Sequence, residues 1–355
     1  MANQQSKISP ARDAAFRVLK KVYGGGYASD LLRREKLDVR DSALAESIVL
    51  GSLRSQSQLD FLIEHFSGRP QSKLDEEVRI ALRIAIYQLR YLHRIPAHAA
   101  VTESVELVKK AHKRSAAPFV NAVLRKVNRK PVRWPNAAVE LSVPAWMLDR
   151  WTEHYGAEAA RGIAKAALAE PESYVNPETG RAQDIGAQSI VPLLAIEPGM
   201  TVLDLCAAPG NKTAQAIAAG GRVVATDRSL RRLAEVPAEA QRVILDAALP
   251  LPFRGKFDRI LIDAPCSGTG TLGPNPEIKW RLKPEDLAVF QDRQRKMLAN
   301  GVELLKPGGR LVYSTCSLEK EENEQVTEGF PVVETHLRLP GRDPGDGFYA
   351  AVIVI

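Results

Sequence analysis

Cysteine is scarce in this chain of 355 residues: there are three, at 206, 266 and 316, and no two form a Cys-x-x-Cys pair. Zinc-binding and disulfide frameworks are therefore poorly supported, and no metal is expected. Thiols left free point to a reducing compartment. The chain also lacks an apolar run long enough to cross a bilayer. Its opening residues, MANQQSKISPARDAA, contain no apolar stretch of signal-peptide length, so a cytoplasmic protein with no membrane partner is expected. Also missing is the GxGxxG turn of a dinucleotide fold at the place where one would be looked for, since the turn there reads CAAPGNK.

What the chain has is an uneven charge. Of its net +7, residues 1–135 carry 25 Lys+Arg against 13 Asp+Glu, whereas the remainder carries 24 against 29. A basic module joined to a mildly acidic one suits a division in which the first holds a polyanion such as RNA and the second does chemistry. The basic runs KKAHKR (109–114) and RKVNRKPVR (125–133) could equally be solvated helix faces.

The first half reads as helix throughout. Ala14, Val18, Leu19 and Val22 fall at helical spacing, as do Leu44, Ile48 and Leu53. EEVRIALRIAIYQLRYL alternates enough to pass for a strand, but its length and its Ala, Leu, Arg and Gln content favour a buried helix whose arginines, 79, 83 and 90, reach the surface. Helices are also expected over 102–110 and 117–127. DSALAESIVLGSLR, LDFLIEHF, ALRIAIYQLRYLHRIPAHAAVTESVELVKKA and FVNAVLRKV resemble the RNA-binding antitermination-factor domain of the NusB type over about residues 8–130. Domains of that kind bind RNA or protein partners. A proline-bounded connector follows, with a helix pair expected around Gly156 and Trp146, Leu148, Trp151 and Tyr155 as packing residues.

From residue 183 the pattern changes to alternating strands and helices: a helix over 187–196, then MTVLDL, RVVATD, RVILDA, FDRILIDAP, LKPGGRLVYST and FYAAVIVI as strands. This implies a parallel, doubly wound α/β sheet. CAAPGNKT places a glycine turn at a helix start, where backbone can approach a ligand. Asp227 closes the next strand and could accept both ribose hydroxyls. Residues alone give a nucleoside cofactor, without saying which. Each cysteine follows a strand, and in such sheets strand ends face the ligand crevice. Any one of them could instead be a small core residue. FDRILIDAPCSGTG and, fifty residues on, RLVYSTCSLEKEENE offer two thiols to one sheet edge, the second leading into a charged helical segment.

VLDLCAAPGNKT, ATD, IDAPCSGTGTLGPNPEIKWR and YSTCSLEKEENE resemble the successive motifs of the S-adenosylmethionine-dependent RNA 5-methylcytosine methyltransferases. With the NusB-like region ahead, the chain is similar to the RsmB/Sun (Fmu) family acting on 16S ribosomal RNA. The resemblance implies a Rossmann-like class I methyltransferase domain preceded by an all-α domain: 1–133 helical and RNA-binding, 134–177 connector, 178–355 methyltransferase. It implies S-adenosylmethionine as cofactor, RNA as partner and a monomer. It makes Cys206, Ala207, Ala208, Pro209, Gly210, Asn211 and Lys212 the loop around the cofactor's methionine part. Asp227 would hold the ribose, Asp246 lie by the adenine, and Asp263 lie near both cofactor and target base. It makes Cys316 the nucleophile and Cys266 the helper in product release, an order that spacing alone does not supply. Addition of a thiolate at carbon 6 of cytosine makes carbon 5 enamine-like, which explains the need for sulfur.

Beside these stand plainer readings. Asp204 and Cys206 could merely shape the turn, Asp246 could be an exposed loop aspartate, and Lys279 and Arg281 could contact phosphates or be solvated. Three departures from the family pattern stand out: Asn211 replaces a glycine, the stretch between Asp227 and Asp246 is short, and the segment before residue 183 is abbreviated where the family has a small RNA-contacting subdomain. Asparagine tolerates a left-handed backbone, so the turn is expected to survive. The alternative function is an RNA-binding or ribosome-assembly factor whose catalytic half binds cofactor without turnover. A methyltransferase of proteins or small molecules would leave the two strand-end thiols unexplained.

Overall fold

The computed structural model describes residues 8–355, and its packing separates two units. The first holds residues up to Glu170 together with Gly273–Arg281, and the second holds Pro171–Leu272 and Leu282–Ile355.

The first unit is helical: α1 (Pro10–Tyr23), α2 (Ala28–Arg33), α3 (Val39–Arg54), α4 (Gln56–Ser67), α5 (Glu76–Tyr91), α6 (Ala97–Lys110), α7 (Ala117–Lys126), α8 (Ala137–Glu140), α9 (Ala145–Tyr155) and α10 (Ala157–Leu168). Local chemistry sets several ends. Asp38 caps α3 by accepting the Asp41 N–H at 2.8 Å. Gly68 closes α4 in the left-handed conformation. α5 is apolar around most of its circumference and forms the centre: Val78, Ile80, Leu82, Ile84 and Ile86 are all buried, each such side chain stabilising the fold by about 1.5–3 kcal/mol. The expectation that its arginines reach the surface fails at Arg83. This residue is buried and meets Asp60 through two 2.7 Å bonds, a bidentate pairing that compensates the buried charge. α9 and α10 flank Gly156 as the sequence suggests, with Trp151 fully buried and Trp146, Leu148 and Tyr155 half-buried. From Ala169 to the start of the next helix, regular pairing is limited to one antiparallel bridge, Val175↔Ala182.

The second unit carries α11 (Ile185–Gln188), β1 (Thr201–Asp204), α12 (Asn211–Ala218), β2 (Arg222–Asp227), α13 (Leu230–Leu233), β3 (Gln241–Ile244) and β4 (Phe257–Asp263). After α14 (Ile278–Arg281), which packs in the first unit, come α15 (Asp286–Glu303), β5 (Leu305–Thr315), α16 (Glu324–Thr327), β6 (Val332–Arg338) and β7 (Phe348–Val354). The sheet order is β3-β2-β1-β4-β5-β7-β6. Alternate residues of each strand serve separate cores. Val202, Leu261, Val312 and Val352 face one side, while Leu203, Ile260, Ile262, Tyr313 and Ile353 face the other. The expected parallel, doubly wound sheet runs through β3-β2-β1-β4-β5, and at its far edge β7 runs antiparallel to β5 and to β6. Residues 339–347 join β6 to β7, too few for the crossover that a parallel pair requires. The expected helix over 187–196 is broken into α11 and a 3-10 turn, Val191–Leu194. Strand order reverses between β1 and β4, which opens a crevice at their carboxyl ends.

Candidate active site

The turn after β1 is built on a buried carboxylate. Asp204 accepts a 2.7 Å bond from Thr213 Oγ1 on Oδ2, while Oδ1 is buried with no partner among the described residues. Burial pushes this carboxyl up to about 7. Gly210 takes φ +99° immediately before α12, and a Cβ there would lie 2.8 Å from Val236 Cα, so only glycine fits. The left-handed residue is thus Gly210 and not Asn211, which begins the helix. Asn211 instead accepts from Arg181 Nε at 2.8 Å and donates to Ala182 O at 2.9 Å, tying the turn to the bridge region upstream. Cys206 is half-buried, and burial pushes its thiol up, so it remains a neutral side chain.

Asp227 and Asp246 end β2 and follow β3. Asp227 accepts the Ser229 N–H at 2.8 Å, with Arg232 Nη1 3.8 Å away. Asp246 accepts the Ala248 N–H and two 2.8 Å bonds from Arg293 on α15, which together hold its carboxyl below the usual range. It is therefore anchored, unlike an exposed loop aspartate.

β4 and β5 deliver the remaining groups. Asp263 accepts from Ser314 Oγ at 2.9 Å and pairs with Lys212 Nζ at 2.6 Å. Cys266 Sγ and Cys316 Sγ lie 3.3 Å apart. The hydrogen bond to Cys316, then burial, push the Cys266 thiol well above its ordinary value. Gly270 lets the two loops touch: its N–H donates to Cys316 O at 2.8 Å, and any Cβ would collide with Gly347 O. A cavity of about 250 Å³ is lined by Cys206, Asp227, Asp246, Asp263, Cys266 and Cys316, among others. A second, of about 240 Å³, is lined by Asp204, Pro209, Asn211 and Lys212, and shares Cys206, Ala208 and Asp263 with the first. Every residue expected at the site thus lines one of these two cavities, Ala207 the second, except Gly210, which serves the turn through its backbone by donating its N–H to Ala207 O.

Two candidates for phosphate contact do not belong here. Lys279 is buried in the helical unit, where its Nζ donates to Arg54 O at 2.9 Å and to Ser142 O at 2.8 Å. Arg281 donates to the carbonyls of Val22 and Gly26 in the same unit. The charged segment after Cys316 forms short helical turns, and Glu319, Glu322 and Asn323 within it are fully buried.

The model of the 16S rRNA methyltransferase RsmB/F matches residues 191–340, and that of the NusB family matches 9–129. A ribosomal RNA small subunit methyltransferase B of Klebsiella pneumoniae is 30% identical, with 99% of each chain covered. The Vibrio cholerae protein of the same name is 31% identical, with 98% of each covered. The chain belongs to the RsmB/F family of 16S rRNA methyltransferases. It is an S-adenosylmethionine-dependent RNA methyltransferase. The alignment with the Klebsiella protein runs over 427 positions against the 355 residues here, so the chain lacks stretches that this relative has. Among solved structures, that of PH0851 superposes with a TM-score of 0.77 at 20% identity, covering 98% of this chain and 99% of that one, which shows the fold. A methyltransferase homolog from Pyrococcus horikoshii superposes with a TM-score of 0.51 at 24% identity, over 61% of this chain.

The site suits the family's cofactor. An orphaned, buried Asp204 oxygen is matched to a cationic group such as an amino acid's ammonium, and Asp227 is an acceptor for hydroxyls. Among the described residues no group of three His, Cys, Asp or Glu side chains could hold a metal, and no helix is long and apolar enough to cross a membrane. Sequence reasoning missed Arg293, Glu322 and Gln294, and treated Asp204 as turn shape alone. For Arg293 and Gln294 the only signal was that of an ordinary amphipathic helix.

Proposed function

We propose that this RsmB/F family member methylates carbon 5 of a cytosine in 16S rRNA through a covalent bond between Cys316 Sγ and carbon 6 of the base. The observation that carries this is the pair of thiols 3.3 Å apart, opening on a cavity shared with Asp227, Asp246 and Asp263. In this reading the 206–212 turn and Asp204 hold the cofactor's amino-acid end, Asp227 its ribose and Asp246 its adenine. Bound S-adenosylmethionine supplies an electrophilic methyl on a sulfonium.

Carbon 5 of cytosine is too electron-poor to take that methyl until a thiolate has added at carbon 6. Cys316 is the thiol that the family resemblance makes the nucleophile, with the Cys266 sulfur 3.3 Å away as its helper. Asp263, fixed by Lys212 and Ser314, is the group that as a carboxylic acid would donate a proton or hydrogen bond to the base's N3 and so relieve the negative charge developing on the ring. The base must be unstacked or single-stranded to be reached. In the closing step carbon 5 loses its proton, the ring double bond reforms and Cys316 leaves as a thiolate. While Cys316 is a neutral thioether it carries no negative charge to oppose ionisation of Cys266. Cys266 then ionises more easily in the one step that needs a base.

The test is incubation with labelled S-adenosylmethionine and unmodified 16S RNA, followed by digestion to nucleosides. Label in 5-methylcytidine is expected, and label in any other nucleoside sinks the proposal. Salt-sensitive RNA binding with no label at all would favour an assembly factor instead. Cys266→Ala is expected to accumulate protein bonded to RNA, and free turnover by that variant would overturn the division of roles.

A further inference from the structure

We infer that Glu322 is a positioning residue that fixes the distance between the two thiols. Its carboxylate is fully buried, which raises its pKa, yet it sits where four donors converge. Oε1 accepts from Ser267 N–H at 2.8 Å and from Gln294 Nε2 at 3.0 Å. Oε2 accepts from Ser317 Oγ at 2.5 Å and from Ser267 Oγ. Ser267 follows Cys266 and Ser317 follows Cys316, so a single side chain grips both cysteine loops one residue from each sulfur. Gln294 extends the grip by donating to Pro265 O at 3.1 Å, the residue before Cys266. The clamp is itself anchored, because Tyr313 O–H on β5 donates to Glu322 O at 2.6 Å. Nothing about a reaction at Cys316 alone calls for this arrangement. A second thiol that must act on the same carbon framework does, since a misplacement of about 1 Å can cost on the order of 100-fold in rate.

The inference rests on the covalent reading for its purpose, but its geometry is testable without RNA. Phenylarsine oxide bridges two neighbouring thiols, forming two As–S bonds and releasing one water from the oxide oxygen and the two thiol protons. Wild-type protein should take up one arsenic per chain, and Cys266→Ala should lose this chelation. Glu322→Gln, which presents an amide N–H₂ to a cluster of donors, should bind the reagent about tenfold more weakly, with Cys316 still alkylated by iodoacetamide at its former rate. Ser267→Ala and Ser317→Ala, each removing one hydroxyl, should shift arsenic affinity the same way by about threefold, and carry the test if Glu322→Gln does not fold. Unchanged arsenic affinity in these variants, or equal loss of chelation, alkylation and cofactor binding, would overturn the clamp. In RNA assays Glu322→Gln should accumulate adduct as Cys266→Ala does. Wild-type chelation without 5-methylcytidine would remove the proposed reaction and leave the clamp standing, whereas 5-methylcytidine with chelation intact in every clamp variant would do the reverse.

Discussion

The turn after β1 and the paired turns after β4 and β5 carry the same sequence signature, an apolar run, a cysteine and then a break, yet the structure uses them differently. At Cys206 the backbone matters: Gly210 supplies the left-handed step, Asp204 lies beneath, and the sulfur stays neutral. At Cys266 and Cys316 the sulfurs matter, because each lies 3.3 Å from the other. A strand-end cysteine is therefore not informative by itself, and a second sulfur within contact distance is the feature on which the proposed chemistry rests.

The sharpest way to break this comparison is to delete each sulfur in turn. Cys316→Ala should lower methyl transfer by about 10³-fold or more, whereas Cys206→Ala should change it by less than about threefold. Initial rates under saturating cofactor check both. A large loss at Cys206 would mean that its thiol has chemistry of its own.

The next effect in size concerns Asp204. Its folded carboxyl is raised to about 7 from 3.8, so between those values the native protein holds a proton that the unfolded chain has released. Its contribution to stability is accordingly greatest at low pH and is lost as pH rises through that window. Cofactor binding runs the other way if the ionised oxygen receives the cofactor's ammonium. Affinity should improve as pH rises through about 7, with proton release below it, and Asp204→Asn should bind about 10- to 100-fold more weakly with a flat profile. Calorimetry in two buffers of different ionisation heat would show the proton, and an unchanged slope in the Asn variant would remove Asp204 from the binding site.

Much of this was legible beforehand for a physical reason: period-two apolar runs and glycine breaks report local geometry, and β1, β2, β4, β5 and β7 are mostly core-facing. β6 was not legible because Val332–Arg338, VVETHLR, is an edge strand with exposed residues and no apolar face to betray it. Arg83 and Lys279 were misjudged, and Glu322 was missed, for another reason. Charge in sequence reads as surface, and only tertiary pairing, to Asp60, to two carbonyls and to two serines, makes burial tolerable.

Lys279 gives the smallest effect and extends the comparison to the loop that follows Cys266. Burial lowers its ammonium to about 7 from 10.5, and its partners, the last carbonyl of α3 at Arg54 and Ser142 O, offset part of that cost, the helix end by its partial negative charge. Between those two values the unfolded chain binds the proton more readily than the native one, so stability should rise with pH from about 7 towards 10.5. Lys279→Met removes the buried charge but leaves two carbonyls unmet, and the opposing terms should nearly cancel, within about 1–2 kcal/mol at neutral pH. The difference in denaturation midpoint between wild type and this variant should therefore drift in favour of wild type as pH is raised. RNA affinity should stay within about twofold, because a lysine enclosed by α3 and the loop after α8 neutralises no phosphate. A salt slope of RNA binding reduced by one unit in the Met variant would return Lys279 to the phosphate contacts from which its burial removes it.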